Sequence, residues 1–352
     1  MFAWAVVKNG APLERIEIAD RAPVGSEVTL EVTHCGVCHS DLHFWKGEYD
    51  LGGGKIMRLT DRGVTLPQAC GHEVAGRVVA LGPEAEGVAI GDTRIVYPWI
   101  GCGECPRCLA EEDNLCERQA SVGVVRSGGF GEKVTVPHPR YLVDPGNVDP
   151  ALAATYACSG ITVYGAAQAI LPLPPEAPVV LIGAGGLGLA AIEMLKALGH
   201  RNIISVDTSA EKRAAALEAG ASAVVDGTAA DVAAAIQQAA SGKVEAVIDF
   251  VNAAGTVAPA LDALSKGGKL VLIGVAGGEI PLSLAGMIFR ARTIIGRNTG
   301  SVKDLRAVVE MANQGLLKPT PIRRMPKSAA NEAMTLLHDG KVTGRIVLEG
   351  RP

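Results

Sequence analysis

The hydrophobic pattern changes character near residue 155. Before that point, short runs with strand character at residues 27–33, 73–81, 94–97 and 133–136 are broken by glycine and proline. Runs of this length between turn residues predict a β-rich, partly closed lobe. A proline-rich connector at residues 171–178 follows, and strands then alternate with helices. Residues 179–183 are a continuous apolar run, 187–198 carry helical spacing up to Gly199, and 203–207 read as the next strand. A second helix is expected at 210–219, stopped by Gly220, with further strands at 244–250, 269–275 and 293–297. Apolar strands without polar alternation suit a parallel sheet covered on both faces, and right-handed crossovers make that sheet doubly wound. From about residue 316 the texture returns to short strand-like pieces such as 345–348, expected to fold back onto the first lobe.

Within the alternating part, Gly183-Ala184-Gly185-Gly186-Leu187-Gly188 fits G-x-G-x-x-G. The pattern alone is weak, but here it follows a strand, opens a helix and begins a β-α-β unit. The first glycine permits the tight turn, the second lets a pyrophosphate approach the backbone, and the third lets helix and strand pack closely. The helix N-terminus then offers free N–H groups to phosphate. The second strand ends at Asp207, whose carboxylate can accept hydrogen bonds from both adenosine ribose hydroxyls and would repel a 2′-phosphate; Thr208 and Ser209 follow it, with no arginine to receive one. NAD is therefore favoured over NADP. The bland alternative is a glycine-rich turn followed by an aspartate that caps the next helix. The expected class is α/β, a Rossmann doubly wound parallel sheet at residues 156–314 beside a β-rich domain made of residues 1–155 and 315–352.

The 352 residues suffice for two domains, and 48% hydrophobic residues can supply their cores. A net charge of −4 with no basic stripe argues against nucleic acid as a partner. The uncharged run at residues 177–192 is glycine-rich and short for a membrane span, and the first residues lack the basic-then-apolar pattern of a signal peptide. Four of the eight cysteines, Cys102, Cys105, Cys108 and Cys116, are spaced C-x2-C-x2-C-x7-C. A short loop with that spacing can wrap four thiolates around one tetrahedral Zn²⁺ at ~2.3 Å. The common iron–sulfur run has a shorter last gap followed by proline, which this chain lacks. A closed four-sulfur site leaves no position for substrate, so this zinc should hold a lobe at about residues 99–117 in shape; four unrelated buried thiols are the alternative. Thiolate ligands need a reducing compartment, and a cytoplasmic location is expected.

Chemistry must then come from elsewhere. Cys38-His39-Ser40-Asp41-Leu42-His43 and Cys70-Gly71-His72-Glu73 are dense in ligand-type residues, and Cys158 is a third candidate. A catalytic zinc keeps three protein ligands and one open position, and Cys38, His72 and Cys158 would give two thiolates and one imidazole. Singly, each reads as well as a buried cysteine or a satisfied histidine.

Taken in order, Cys35-x-x-Cys38-His39-Ser40-Asp41, Gly71-His72-Glu73, the four-cysteine lobe and Gly183-x-Gly185-Gly186-x-Gly188 resemble the zinc-dependent medium-chain alcohol dehydrogenase family, with a texture closest to its tetrameric bacterial and archaeal members. The resemblance covers essentially the whole chain. It implies that the β-rich domain is GroES-like, with the active site in the cleft between the two domains, and that each chain carries two zinc ions, one catalytic and one structural. It carries over Cys38, His72 and Cys158 as catalytic zinc ligands, Glu73 as a carboxylate that exchanges onto the metal, and Asp41 as the partner that orients His72. Cys158, where polyol-type relatives have glutamate, points to the alcohol branch. Ser40 would accept the alcohol proton and pass it through the ribose to His43, whose ordinary pKa of ~6.5 suits exchange near neutrality; an ordinary exposed histidine is the alternative. His39 and Arg345 match positions on the pyrophosphate, Thr162 and Val275 positions flanking the nicotinamide, and Lys212 a position near the adenosine ribose. Trp99 would line the substrate pocket with Ser40, or simply pack the lobe.

The reaction implied is reversible hydride transfer between a primary or secondary alcohol and NAD, giving aldehyde or ketone. An aldehyde or ketone reductase is the same machine run in reverse. A non-catalytic protein that binds NAD and zinc is the alternative of another class, and the cysteine sets argue against the zinc-free quinone and enoyl reductases of the superfamily. A homotetramer is implied by the resemblance, a dimer being the other option. Cys35 and Cys70 read as structural thiols, and residues 51–65 as a glycine-rich loop at the mouth of the cleft.

Overall fold

Val28–Val37 is the strand on which the first of two units is assembled. In the computed structural model, which describes all residues from Met1 to Pro352, this unit comprises Met1–Glu48, Arg58–Ile161 and Gly300–Pro352. Val28–Val37 pairs antiparallel with Glu73–Leu81, with Lys133–Val136 and with Arg345–Glu349. The main sheet runs Leu142–Val143, Thr93–Val96, Glu73–Leu81, Val28–Val37, Arg345–Glu349 and Ile322–Pro326. A smaller sheet joins Glu14–Glu17, Phe2–Val6 and Gln68–Ala69. Leu30, Val74, Val78, Ile95, Val96 and Val347 of the main sheet are fully buried. Register shifts at Thr29/Leu30 and Val32/His34 kink the central pair, which bends the sheet towards closure. Beyond them Gly36 faces Glu73, where a Cβ would fall 1.9 Å from the Glu73 carboxylate; only glycine leaves room for that side chain.

The same unit buries Lys327 completely. Its Nζ donates to the carbonyls of Val32 (2.9 Å) and Gly131 (2.8 Å). Gly129 and Phe130, beside that point, donate backbone N–H groups to Gly71 and Cys70, so the amine braces the loop that supports the Gly71-His72-Glu73 segment.

The second unit comprises Tyr49–Met57 and Thr162–Thr299. Its six strands are all parallel, in the order Ala223–Asp226, Ile203–Asp207, Val179–Ile182, Ala246–Asp249, Lys269–Leu272 and Thr293–Gly296. Numbered along the chain that order is 3-2-1-4-5-6, the doubly wound Rossmann arrangement. Val180, Ile204, Val247 and Leu270 pack with Ile236 and Ala260 of the covering helices, all fully buried, as expected for continuous apolar strands.

The second unit is narrower than the expected 156–314, residues 156–161 and 300–314 clustering with the first, and three further features depart from the sequence pattern. Residues 39–46 form a helix, His39–Lys46, that no periodicity announces. Ala223–Asp226 is an additional strand. Residues 49–57, which the texture assigns to the first domain, cluster with the second unit. The reason for the last is local: a Cβ on Gly52 would lie 2.7 Å from the backbone of Gly278, and one on Gly277 would lie 2.5 Å from the Asp50 carbonyl. Two glycine-bearing backbones lie flat against each other, which any side chain would prevent. No helix is long and apolar enough to cross a membrane.

Candidate metal centres and dinucleotide site

In the first unit the helix His39–Lys46 begins at Cys38, and Asp41 in its first turn closes a capping box. One oxygen of Asp41 accepts the Cys38 N–H at 2.9 Å, and the other accepts the Gly71 N–H at 3.0 Å and stands 3.5 Å from His72 Nδ1. A single buried carboxylate thus joins the two ligand-rich segments. Cys158 arrives from a π-helical turn, Tyr156–Gly160, a widening common at functional positions, and its Sγ lies 3.9 Å from that of Cys38. One ligand atom from each of Cys38, His72, Glu73 and Cys158 lies within 4.8 Å of the others.

His72 Nε2 and one carboxylate oxygen of Glu73 are buried there without a hydrogen-bond partner. Leaving a buried polar atom unsatisfied costs about 1–3 kcal/mol, so two in one place, beside two thiols, fit a cation. Sulfur and imidazole donors with one carboxylate suit zinc. Electrostatics agree: the hydrogen bond from Cys158, helped by His72, holds the Cys38 thiol well below its ordinary range. Burial pushes Glu73 up to about 7 against the opposing charge of Arg345. Arg345, expected at a pyrophosphate, is itself buried here and donates Nη2 to the other Glu73 oxygen. The Trp99 ring lies 5.5 Å from that of His72, tilted by 47°. Ser40 and His43 follow on the same helix as Asp41; both are partly buried and His39 is exposed. Burial, then Lys46 and His39, hold the His43 imidazole below its ordinary pKa.

The four-cysteine lobe closes separately in the same unit. Its sulfurs lie 3.5 Å (Cys105–Cys108), 3.9 Å (Cys102–Cys108) and 3.9 Å (Cys105–Cys116) apart. A tetrahedron with ~2.3 Å arms has edges of ~3.8 Å, so the four thiols fit one zinc. Behind them Arg140 donates to the Cys108 carbonyl at 3.3 Å and to the buried Asp113 at 2.6 Å, and Tyr141 donates to Asp113 at 2.9 Å.

In the second unit Gly183 has φ +92°, and a Cβ on Gly188 would sit 1.9 Å from the Gly183 carbonyl, so that close pass admits only glycine. Above Gly185 there is open space, room for a ligand against the backbone. Gly186 and Leu187 open the helix Gly186–Ala197, whose first turn has no side-chain cap. Asp207 ends the neighbouring strand and accepts N–H groups from Ala184 (2.8 Å) and Ser209 (2.9 Å). Its carboxylate is therefore pinned beside the glycine loop, a cradle that fits a dinucleotide. Lys212 is exposed on the next helix, Thr162 is buried, and Val275 is 49% exposed on the loop after the strand Lys269–Leu272. Asp249 and Asn252, absent from the sequence-based expectations, build the adjoining turn; a polar residue closing an apolar strand is the one local signal for it.

A family model described as alcohol dehydrogenase GroES-like domain matches residues 25–145, and one described as zinc-binding dehydrogenase matches residues 186–314. An NAD-dependent alcohol dehydrogenase of Sulfurisphaera tokodaii is 35% identical over 350 residues, 99% of each chain. D-arabinose 1-dehydrogenase (NADP(+)) of Saccharolobus solfataricus is 32% identical over 97% of this chain and 95% of its own. Among solved structures, the alcohol dehydrogenase of Aeropyrum pernix superposes with a TM-score of 0.89 at 28% identity, covering 99% of this chain and 100% of its own. The chain belongs to the zinc-dependent medium-chain alcohol dehydrogenase family of oxidoreductases.

Proposed function

We propose that this protein oxidises a primary or secondary alcohol to an aldehyde or ketone with NAD, and reverses that reaction when the carbonyl compound is supplied. The observation that carries the reading is the buried, partnerless Nε2 of His72 between Cys38 and Cys158, with Asp41 behind the ring. When bound, zinc supplies Lewis acidity that makes an alcohol hydroxyl acidic near neutral pH, and NAD supplies the hydride acceptor. Cys38, His72 and Cys158 would hold the catalytic ion, with Glu73 as an exchanging fourth donor, and Cys102, Cys105, Cys108 and Cys116 would hold a structural one, giving two per chain.

The remaining residues orient substrate and cofactor and move the proton. Ser40 Oγ receives the hydroxyl proton while handing on its own, and His43, on the same helix, exchanges a proton with water. Trp99 walls the substrate side of His72. Asp207 accepts the ribose hydroxyls and disfavours a 2′-phosphate, which supports NAD although one relative is named for NADP(+). His39 and Arg345 attract the pyrophosphate, Lys212 the ribose, and Thr162 and Val275 flank the nicotinamide.

Self-association as a homotetramer, or a dimer, is supported by the helix Leu284–Arg290. Leu284, Ile288 and Phe289 are 77%, 76% and 76% exposed on it, next to the unpaired edge strand Thr293–Gly296. Eight free cysteines, six of them in the two metal-type clusters, support a reducing, cytoplasmic setting.

The test is initial rates of NAD⁺ and NADP⁺ reduction across primary, secondary, allylic and benzylic alcohols, with zinc per chain measured on the same sample and on Cys38→Ala. Two zincs, NAD preference and loss of both activity and one zinc in the variant are expected. Two zincs without turnover of any alcohol or aldehyde would instead mark a binding protein.

A further inference from the structure

In a doubly wound sheet, ligands bind at the carboxyl ends of the strands where the strand order reverses. Here the reversal lies between Val179–Ile182 and Ala246–Asp249. The glycine loop leaves the first of these strands. The second ends at Asp249, which is fully buried and makes three hydrogen bonds of its own. One oxygen accepts the N–H groups of Val251 and Asn252, both at 2.8 Å, and the other accepts the Thr256 hydroxyl at 2.6 Å. The result is a tight turn that places Val251 beside the glycine loop; a Cβ on Gly183 would lie 3.0 Å from Val251 Cγ2.

The turn also grips the loop after the next strand. Asn252 sits at φ +58°, a conformation asparagine tolerates better than most residues, and there its Nδ2 donates to the Gly274 carbonyl at 2.7 Å. Backbone bonds add to this: Gly274 N–H to the Asp249 carbonyl (3.1 Å), Ala276 N–H to Val251 (3.2 Å) and Gly277 N–H to Asn252 (3.2 Å). A Cβ on Gly274 would fall 2.2 Å from the Val251 carbonyl, so the two loops touch backbone to backbone. Val275, between the tied residues, keeps a half-exposed side chain.

We propose that Asp249 and Asn252 are positioning residues that hold the 274–277 loop in the shape that receives the nicotinamide end of the cofactor, an inference that rests on the NAD reading above. The half of the sheet that follows the glycine loop takes the first nucleotide, so the second half, where this clamp sits, faces the other. The Asn252 side chain is the one link between the loops that substitution can remove while keeping the backbone geometry, because glycine adopts the same φ at no cost.

The experiment is calorimetric titration of the full-length Asn252→Gly protein with NADH and with ADP-ribose, which lacks the nicotinamide, alongside wild type. Loss of one hydrogen bond's worth of loop order predicts NADH binding weakened about 3- to 10-fold, with ADP-ribose held within about twofold. Asn252→Asp, which keeps the turn preference but sets an acceptor against the Gly274 carbonyl, should weaken NADH further and again spare ADP-ribose. Asp249→Asn, the variant most at risk of misfolding, serves only as a check that the same selectivity follows the turn. Equal weakening of both ligands in Asn252→Gly, or weakening of neither, overturns the positioning role while leaving the NAD reading intact. A wild-type protein that binds neither ligand overturns both.

Discussion

Asp41 faces His72 Nδ1 at 3.5 Å while its two oxygens accept the backbone N–H groups of Cys38 and Gly71. One carboxylate therefore lies behind the imidazole and also fixes the backbone on both sides of the metal-type cluster. Carboxylates placed behind a ligand histidine are worth 10–100-fold in metal affinity. In Asp41→Asn the amide N–H₂ meets N–H donors it cannot bond. We expect the variant to surrender one zinc per chain to a chelator at a concentration some 10–100-fold lower than wild type, while the zinc of the four-cysteine lobe stays. Retention of both ions as in wild type would show that the ring is held by packing alone.

The two hydrogen bonds of Asp207, to Ala184 and Ser209, fix a negative charge where an adenosine ribose would lie. Hydrogen bonds to a charged group are worth about 1.5–3 kcal/mol, so Asp207→Asn should lower kcat/KM for NAD by about 10- to 150-fold. The same change removes repulsion of a 2′-phosphate, and the NAD/NADP ratio of kcat/KM should narrow. Steady-state kinetics with both cofactors decides it: a variant that loses both equally would mean that Asp207 acts only on the glycine loop.

Lys327 offers a pH signature. Burial lowers its pKa from an ordinary 10.5 to about 8, and a neutral amine has two N–H groups for the carbonyls of Val32 and Gly131. Between pH 8 and 10.5 the unfolded lysine holds its proton and the folded one has released it. The unfolded state then binds more protons, and the contribution of this residue to stability rises with pH. Below pH 8 both states are protonated and the penalty for the buried charge is fully present. The stability of wild type relative to Lys327→Met should therefore shift in favour of wild type from pH 7.5 to 9.5, read by urea denaturation at each pH. A constant difference would mean that the buried amine stays charged.

The helix Leu284–Arg290 buries none of its residues, an unusual state for a segment carrying leucine, isoleucine and phenylalanine. The proposed self-association through this helix predicts that Ile288→Glu together with Phe289→Glu yields a smaller mass than wild type by light scattering, with little change in secondary structure by circular dichroism. An unchanged mass would overturn the assignment of this helix as a subunit contact.

The parallel sheet was the most legible part of the chain. The strands 203–207, 73–81 and 133–136 and the helix 210–219 fall where the pattern puts them, because each carries its own signal: an apolar run for the strand in the parallel sheet, β-rich runs for the other two, and periodic spacing with a terminal glycine for the helix. The metal-type clusters were legible because ligand residues are chemically rare and closely spaced. The helix His39–Lys46 was not, since Cys38-His39-Ser40-Asp41 carries ligands in place of an apolar stripe and is held by the capping box instead. Nor were pairings made across long separations. Arg345 and Glu73 lie 272 residues apart and Lys327 and Val32 295 apart, and no local rule links such positions. The turn at Asp249 was hidden for a different reason: its apolar strand accounts for the run, and nothing nearby marks the aspartate as the residue that ties two loops.

Arg345–Glu349 lies hydrogen-bonded against Val28–Val37, and that adjacency has a price in time. Synthesis proceeds from the amino terminus, and domains tend to fold as they emerge, yet here the entire nucleotide-binding segment must leave the ribosome before the flank of Val28–Val37 meets its partner. Until then the His34–Val37 end of that strand stands with open N–H and C=O groups along one flank, the kind of edge that recruits other chains. The nascent protein should accordingly mature in two stages, the inserted unit first and the enclosing one after it, and holdase chaperones should capture it in the interval between them.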